Sequence, residues 1–276
     1  MKLIFSFIFL LMSTTLLHAQ MACCAKATDQ FAALGKSKEF VMAHDEPLPF
    51  VYESTLGKDI NYKLPDGTSA HAFEIKCEKP TPYYIFVIHE FWGLNDYVKK
   101  ESEKLCNDLG VNILALDLYD NKVTADRDSA SKLMQSVNSD RAASIIKGAY
   151  SYVGSNAKVF TLGWCFGGGW SLQAALLGGS QVKGCVMYYG MPEKDVNKLK
   201  TLNCDVVGFF AKNDQWINPE VVSQFEQNMK TAGKNVKTYE YDADHAFANP
   251  SNPKYNKEAT ADANAKELTF IKERIK

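Results

Sequence analysis

What this chain lacks narrows it before any motif is read. It has almost no net charge: 31 Lys and Arg against 32 Asp and Glu leave −1. There is no basic excess to hold nucleic acid and no acidic block of a disordered tail. Its seven cysteines include no C-x-x-C pair, which argues against a thiol redox protein. No apolar run reaches the ~20 residues of a spanning helix. Internal repeats, low-complexity tracts and a linker that would divide the chain are missing as well. Histidine is scarce, five in 276 residues, so imidazole chemistry has few candidates. What is there, 46% hydrophobic and 23% charged, is an ordinary globular composition with chain enough for a sizeable core.

The first residues read as a leader, not as fold. Lys2 is followed by an apolar stretch from Leu3 to Met12 and by "LHAQ", the pattern of a secretory signal peptide spanning 1–19 with cleavage after Ala19. A lipid-anchor site at Cys23 would want an aliphatic residue where Gln20 stands, so cleavage is preferred to lipidation. The expectation is a secreted or periplasmic protein. In that compartment thiols can pair. An odd cysteine count leaves at least one over unless it pairs between chains, and sequence spacing sets no pairing.

Residues 20–48 are small and polar, an extension with room for one short helix. Strand patterning begins at "PFVYES", continues through "INYKL", turns at "PDG" and resumes at "SAHAFEIKC", an antiparallel start. The period then changes. "YYIFVIHE" (83–90) and "VNILALDL" (111–118) are continuous apolar runs, as strands buried on both faces should be. Helix is expected over 96–109, ending at Gly110, and as one long element over 126–153. Further strands follow at 157–164, 182–190, 204–211 and 236–242, with helices at 166–177, 218–233 and 256–275. Alternating strands and helices predict an α/β fold whose mostly parallel sheet is covered on both faces. Residues 49–276 form that domain.

Gly163-Trp164-Cys165-Phe166-Gly167 follows a predicted strand and opens a predicted helix. That context turns G-x-nucleophile-x-G into a nucleophile elbow: a turn so tight that its neighbours must lack side chains. A helix N-terminus beneath the sulfur favours thiolate. The plain alternative is a glycine-rich turn around a core cysteine. A thiol nucleophile needs a base, and the base needs an orienter. Asp214 and His245 each stand just past a strand, in the chain order nucleophile, acid, histidine. Asp205, Asp242 and Asp244 are rivals to Asp214, though none lies in the loop after the strand that precedes the histidine strand. His44 falls in the extension and His71 in the antiparallel start. His89 reads as a structural histidine near a strand end. The backbone N–H of Phe166 is one oxyanion donor, and the loop after "HEFWG" offers Phe91 for the second. Glu90 then stands at the mouth of the same cleft.

Together "HEFWG", "LDLYD", "GWCFGGG", "KNDQWI" and "ADHAFAN" resemble the dienelactone hydrolase family of α/β hydrolases over roughly residues 50–276. The resemblance implies an α/β-hydrolase fold and a Cys165–His245–Asp214 triad. It also implies that Glu90 contacts the resting cysteine and takes the thiol proton once substrate binds. The family's arginines two residues after the tyrosine of "DLY" and four after the histidine are replaced here by Asn121 and Asn249. Lysine and asparagine do not reproduce their bidentate grip on a carboxylate.

The expected activity is hydrolysis of a small ester or lactone, carboxymethylenebutenolidase-like, through an acyl-enzyme, with no metal or organic cofactor and by a monomer. Lys122, Tyr189 and Trp92 are the candidate substrate contacts, with Trp164 and Trp216 beside them. Two readings from other classes stand against it: a ligand-binding protein on a decayed hydrolase scaffold and a thiol redox protein.

Overall fold

The computed structural model describes residues 27–275; the expected leader, Cys23 and Cys24 lie outside them. Eight strands form one sheet: β1 (Gly57–Lys63), β2 (Ser69–Ile75), β3 (Tyr83–Ile88), β4 (Asn112–Leu116), β5 (Lys158–Trp164), β6 (Val182–Tyr188), β7 (Val206–Ala211) and β8 (Val236–Tyr241). Their spatial order is β1-β2-β4-β3-β5-β6-β7-β8. β2 alone runs against its neighbours, pairing antiparallel with both β1 and β4, and every other pair is parallel. This is the mostly parallel sheet with an antiparallel start that the patterning predicts. The continuous apolar runs explain its centre. Every residue of β3, β4 and β7 is buried.

Nine α-helices lie among the described residues: α1 (Ala27–Leu34), α2 (Lys38–Met42), α3 (Asp96–Leu109), α4 (Arg127–Ser136), α5 (Ser139–Val153), α6 (Phe166–Leu177), α7 (Val196–Leu199), α8 (Pro219–Thr231) and α9 (Lys257–Lys272). α3 keeps its expected bounds. The Asn95 side chain caps its start by accepting from Val98 N–H, and Gly110 ends it at φ 65°, a conformation that costs glycine nothing.

Three expectations need correction. The long helix over 126–153 is two helices. Asn138 accepts from the N–H groups of Asp140 and Arg141, and Val137 before it is extended. An asparagine that can cap a new helix competes with continuing the old one. "PFVYES" is not a strand. Tyr52 N–H donates to the Asp96 side chain (3.0 Å), and Ser54 Oγ accepts from Gly57 N–H (2.7 Å) where β1 begins. The extension holds two helices, and both dock on the domain. α1 packs on α4 and α6, and α2 packs on α4. Ser131 Oγ donates to Gly35 O (2.7 Å), and Arg127 Nε donates to His44 O (2.7 Å).

Candidate active site

Cys165 stands between β5 and α6 with φ 52° and ψ −117°. A non-glycine residue held there is strained, and the surroundings must impose the conformation. They do so by close approach. A Cβ on Gly163 would collide with the backbone of Gly167, and a Cβ on Gly167 with the carbonyls of Ile88 and His89. Cys165 N–H donates to Tyr188 O (2.9 Å), and its carbonyl accepts from Gly168 N–H (3.0 Å). The sulfur is thereby fixed over the N-terminus of a helix buried along most of its length.

Two loops bring its partners. After β7, Asp214 Oδ1 accepts from the backbone N–H of Trp216 (2.8 Å) and Ile217 (2.9 Å). Its Oδ2 accepts from His245 Nδ1–H at 2.5 Å. After β8, His245 Nε2 lies 3.2 Å from Cys165 Sγ. Burial works against the Asp214 carboxylate, yet His245 and the two N–H bonds hold its pKa below the ordinary value. Burial likewise opposes charge on His245, but Asp214 and Cys165 raise it well above an ordinary imidazole. The cysteine's share exists only when the sulfur is thiolate, so in the thiol state Asp214 carries that shift. Burial pushes the Cys165 thiol up, more than His245 pulls it down.

Glu90 is buried at the end of β3. Its carboxylate accepts from Asn249 Nδ2–H at 3.0 Å, while Cys165 Sγ is bonded to histidine. The resting Glu90–cysteine contact that the resemblance implies is not the arrangement seen. Burial raises Glu90 to about 7, against the lowering by His245 and Asn249. Asn249, where the resemblance implies an arginine, is thus spent on holding Glu90. His89 is structural, as expected: Nδ1–H donates to Glu90 O (2.7 Å) and Nε2 accepts from Leu118 N–H (3.1 Å). Phe166 is the first residue of α6, beside the sulfur, and Phe91 is fully buried beside Glu90.

The residue that sequence reasoning passed over is His44. It follows α2, yet its Nε2 lies 3.7 Å from Cys165 Sγ, across 121 positions of sequence. Its Nδ1–H donates to Phe40 O (2.8 Å). The ring lies against Phe91 (centroids 4.4 Å apart, 30°) and edge-on to His245 (5.4 Å). Phe40 is fully buried and meets Trp216 edge-to-face at 5.0 Å. Burial, then the neighbouring His245, lowers the His44 pKa to about 3, so it is neutral at ordinary pH. The docked segment leaves Cys165 with 0% exposure. A lone histidine in a polar extension carries no spacing signal that would place it there.

The other candidates divide. Trp92 and Trp164 line a pocket with Glu90 and Asn249. Tyr189 is buried with φ 37°, its ring 5.1 Å from that of His245. Lys122 is exposed on the loop after β4, and no hydrogen bond or ion pair among the described residues brings it to the sulfur. Tyr119 Oη, also passed over, is buried without a hydrogen-bond partner among the described residues, close enough for Cys165 to raise its pKa.

Set against known proteins, the model of the Dienelactone hydrolase family matches residues 71–275. A Saccharolobus solfataricus protein named for carboxymethylenebutenolidase activity is 28% identical over 260 residues, 78% of this chain and 98% of its own. The carboxymethylenebutenolidase of Pseudomonas putida is 27% identical over 231 residues, covering 78% and 96%. Among solved structures, the dienelactone hydrolase-like promiscuous phosphotriesterase P91 from metagenomic libraries superposes with a TM-score of 0.68 at 21% identity, over 80% of this chain and all of that one.

Proposed function

Because the chain belongs to the dienelactone hydrolase family, we propose that it hydrolyses a small carboxylic ester or lactone through a Cys165–His245–Asp214 triad and an acyl-enzyme. One observation carries the reading: an unbroken line from Asp214 Oδ2 through His245 to Cys165 Sγ, 2.5 Å and 3.2 Å long. His245 Nε2 takes the thiol proton as sulfur attacks the carbonyl carbon. Asp214 holds Nδ1–H, fixing the tautomer and stabilising the imidazolium. The N–H groups of Phe166 and Phe91 receive the oxyanion. The imidazolium returns its proton to the leaving alkoxide. His245 then activates water, which cleaves the thioester and restores the thiol.

Burial raises Glu90 to about 7 while His245 lowers it, so its carboxylate is placed to stabilise the imidazolium that forms when His245 takes the thiol proton. With Cys165 fully covered, substrate enters only when the segment carrying Phe40 and His44 moves. Phe40, Phe91 and Trp216 around the site favour a small neutral acyl group. Lys122 is exposed and Asn249 is committed to Glu90, so no carboxylate grip is available from them. The relatives' names point to dienelactone itself; this geometry favours neutral esters over it. Export through the leader expected at 1–19 completes the reading.

The test is turnover of p-nitrophenyl acetate and butyrate, neutral lactones and cis-dienelactone by the mature protein beside Cys165→Ala. Turnover lost in the variant, with neutral substrates preferred, is the expected outcome. Equal turnover in both proteins would sink the cysteine mechanism.

A further inference from the structure

His44 has no part in that chemistry, yet it is the third group at the sulfur. Sγ of Cys165 and the Nε2 atoms of His44 and His245 lie within 4.8 Å of one another, and all three residues are buried. Zinc bonds of about 2.3 Å to sulfur and about 2.0 Å to nitrogen set tetrahedral ligand atoms roughly 3.3–3.6 Å apart. With Sγ already 3.2 Å and 3.7 Å from the two nitrogens, closing on an ion needs shifts of about 1 Å or less. Each imidazole is already oriented by its other nitrogen. His44 Nδ1–H is bound to the Phe40 carbonyl and His245 Nδ1–H to the Asp214 carboxylate. Such outer bonds fix the tautomer and leave the Nε2 lone pair facing inward, as metal-binding histidines require.

We propose that Cys165, His44 and His245 form a binding site for a thiophilic divalent cation of the zinc class, acting as a reversible inhibitor and not as a cofactor. On binding, the thiol proton leaves to solvent. Sulfur and the two nitrogens each donate a lone pair, no electron is transferred, and a fourth position stays open. The ion occupies the nucleophile and its base together and ties the segment after α2 to the loops after β5 and β8. The inhibition rests on the hydrolase reading, whereas the binding does not.

The experiment titrates chelator-stripped mature protein with Co2+, read by thiolate-to-cobalt charge-transfer absorption, and then with Zn2+ in competition with a chromophoric chelator. One Co2+ per chain with that absorption, displaced by Zn2+, is expected. Cys165→Ser should abolish the absorption. His44→Gln, which keeps a polar side chain but loses the imidazole, should weaken Zn2+ binding at least about a hundredfold. Cys77→Ser controls for the neighbouring thiols of Cys77 and Cys106 and should change nothing. The proposal is overturned if no thiolate–cobalt band forms, if the band survives Cys165→Ser, or if His44→Gln binds as the parent does. Should His44→Gln fail to fold, peptide mapping of Cys165 alkylation decides. Protection by Zn2+ supports the site, and equal alkylation with and without Zn2+ overturns it. Ester turnover by the metal-free protein is scored separately, so a failed hydrolase reading leaves the spectral result intact.

Discussion

At the scale of single residues, two carboxylates do opposite work because their surroundings differ. Asp214 accepts two backbone N–H bonds and an imidazole N–H, which keep it ionised. Asp214→Asn keeps the shape but removes the charge that sets the His245 tautomer. A fall in kcat of about 10²–10⁴-fold is expected, with KM little changed, in steady-state assays on a turned-over ester. Glu90 has one side-chain donor, Asn249, and sits near 7. If its ionised carboxylate is the form that supports the His245 imidazolium, kcat/KM rises with pH through about 7. Asn249→Ala removes a bond that lowers Glu90, so the rising limb should move to higher pH. Glu90→Gln should erase it, and a limb unchanged in Glu90→Gln would assign the titration to the thiol–imidazole pair instead.

Elements explain what could be read in advance and what could not. Strands with continuous apolar runs, and the glycine-bounded turn at Cys165, are dictated locally, so the sheet, the elbow and the loops carrying Asp214 and His245 were legible. The same holds for α3, whose two caps are written in Asn95 and Gly110. The break at Asn138 was missed because apolar periodicity continues across it and only the cap resists. α2 was illegible in a deeper sense. Its placement depends on Phe40 meeting Trp216, 176 positions away in the numbering, and no local pattern encodes that distance. A buried phenylalanine is worth about 2–3 kcal/mol. Phe40→Ala should therefore raise the population of the undocked segment, and with it the iodoacetamide labelling rate of Cys165, by roughly one to two orders of magnitude. Labelling followed by mass spectrometry would show it. A rate equal to the parent's would mean that α2 does not gate the sulfur.

At the scale of the whole molecule, the docked segment links stability to pH. His44 is neutral when folded, with a pKa of about 3 against an ordinary 6.5. Between those values the unfolded chain binds the extra proton and the folded one does not, so this contribution to stability falls as pH drops below about 6.5. His245, Asp214 and Arg127 are the charged groups facing it. Glu90 and Glu267, both raised to about 7 from 4.5 by burial, act the other way. They bind protons in the fold first, so their cost appears as pH rises from about 4.5 to 7. Comparison with His44→Gln cancels them. In urea titrations of metal-free protein, the parent should lose about 2 kcal/mol more than His44→Gln between pH 7 and pH 5. Equal losses would place His44 in a more solvated setting than its burial suggests.

The covering segment also bears on how such an enzyme diversifies. The family match begins at residue 71, whereas Phe40 and His44 lie upstream of it and still reach the His245 ring or the Cys165 sulfur. The matched region carries Cys165, Asp214 and His245, and the segment that covers the sulfur lies outside it. Under the proposed mechanism, changes upstream of residue 71 would alter access to the sulfur and leave the loops carrying Asp214 and His245 untouched. Relatives compared over the shared region alone would then be matched without the segment that covers the sulfur.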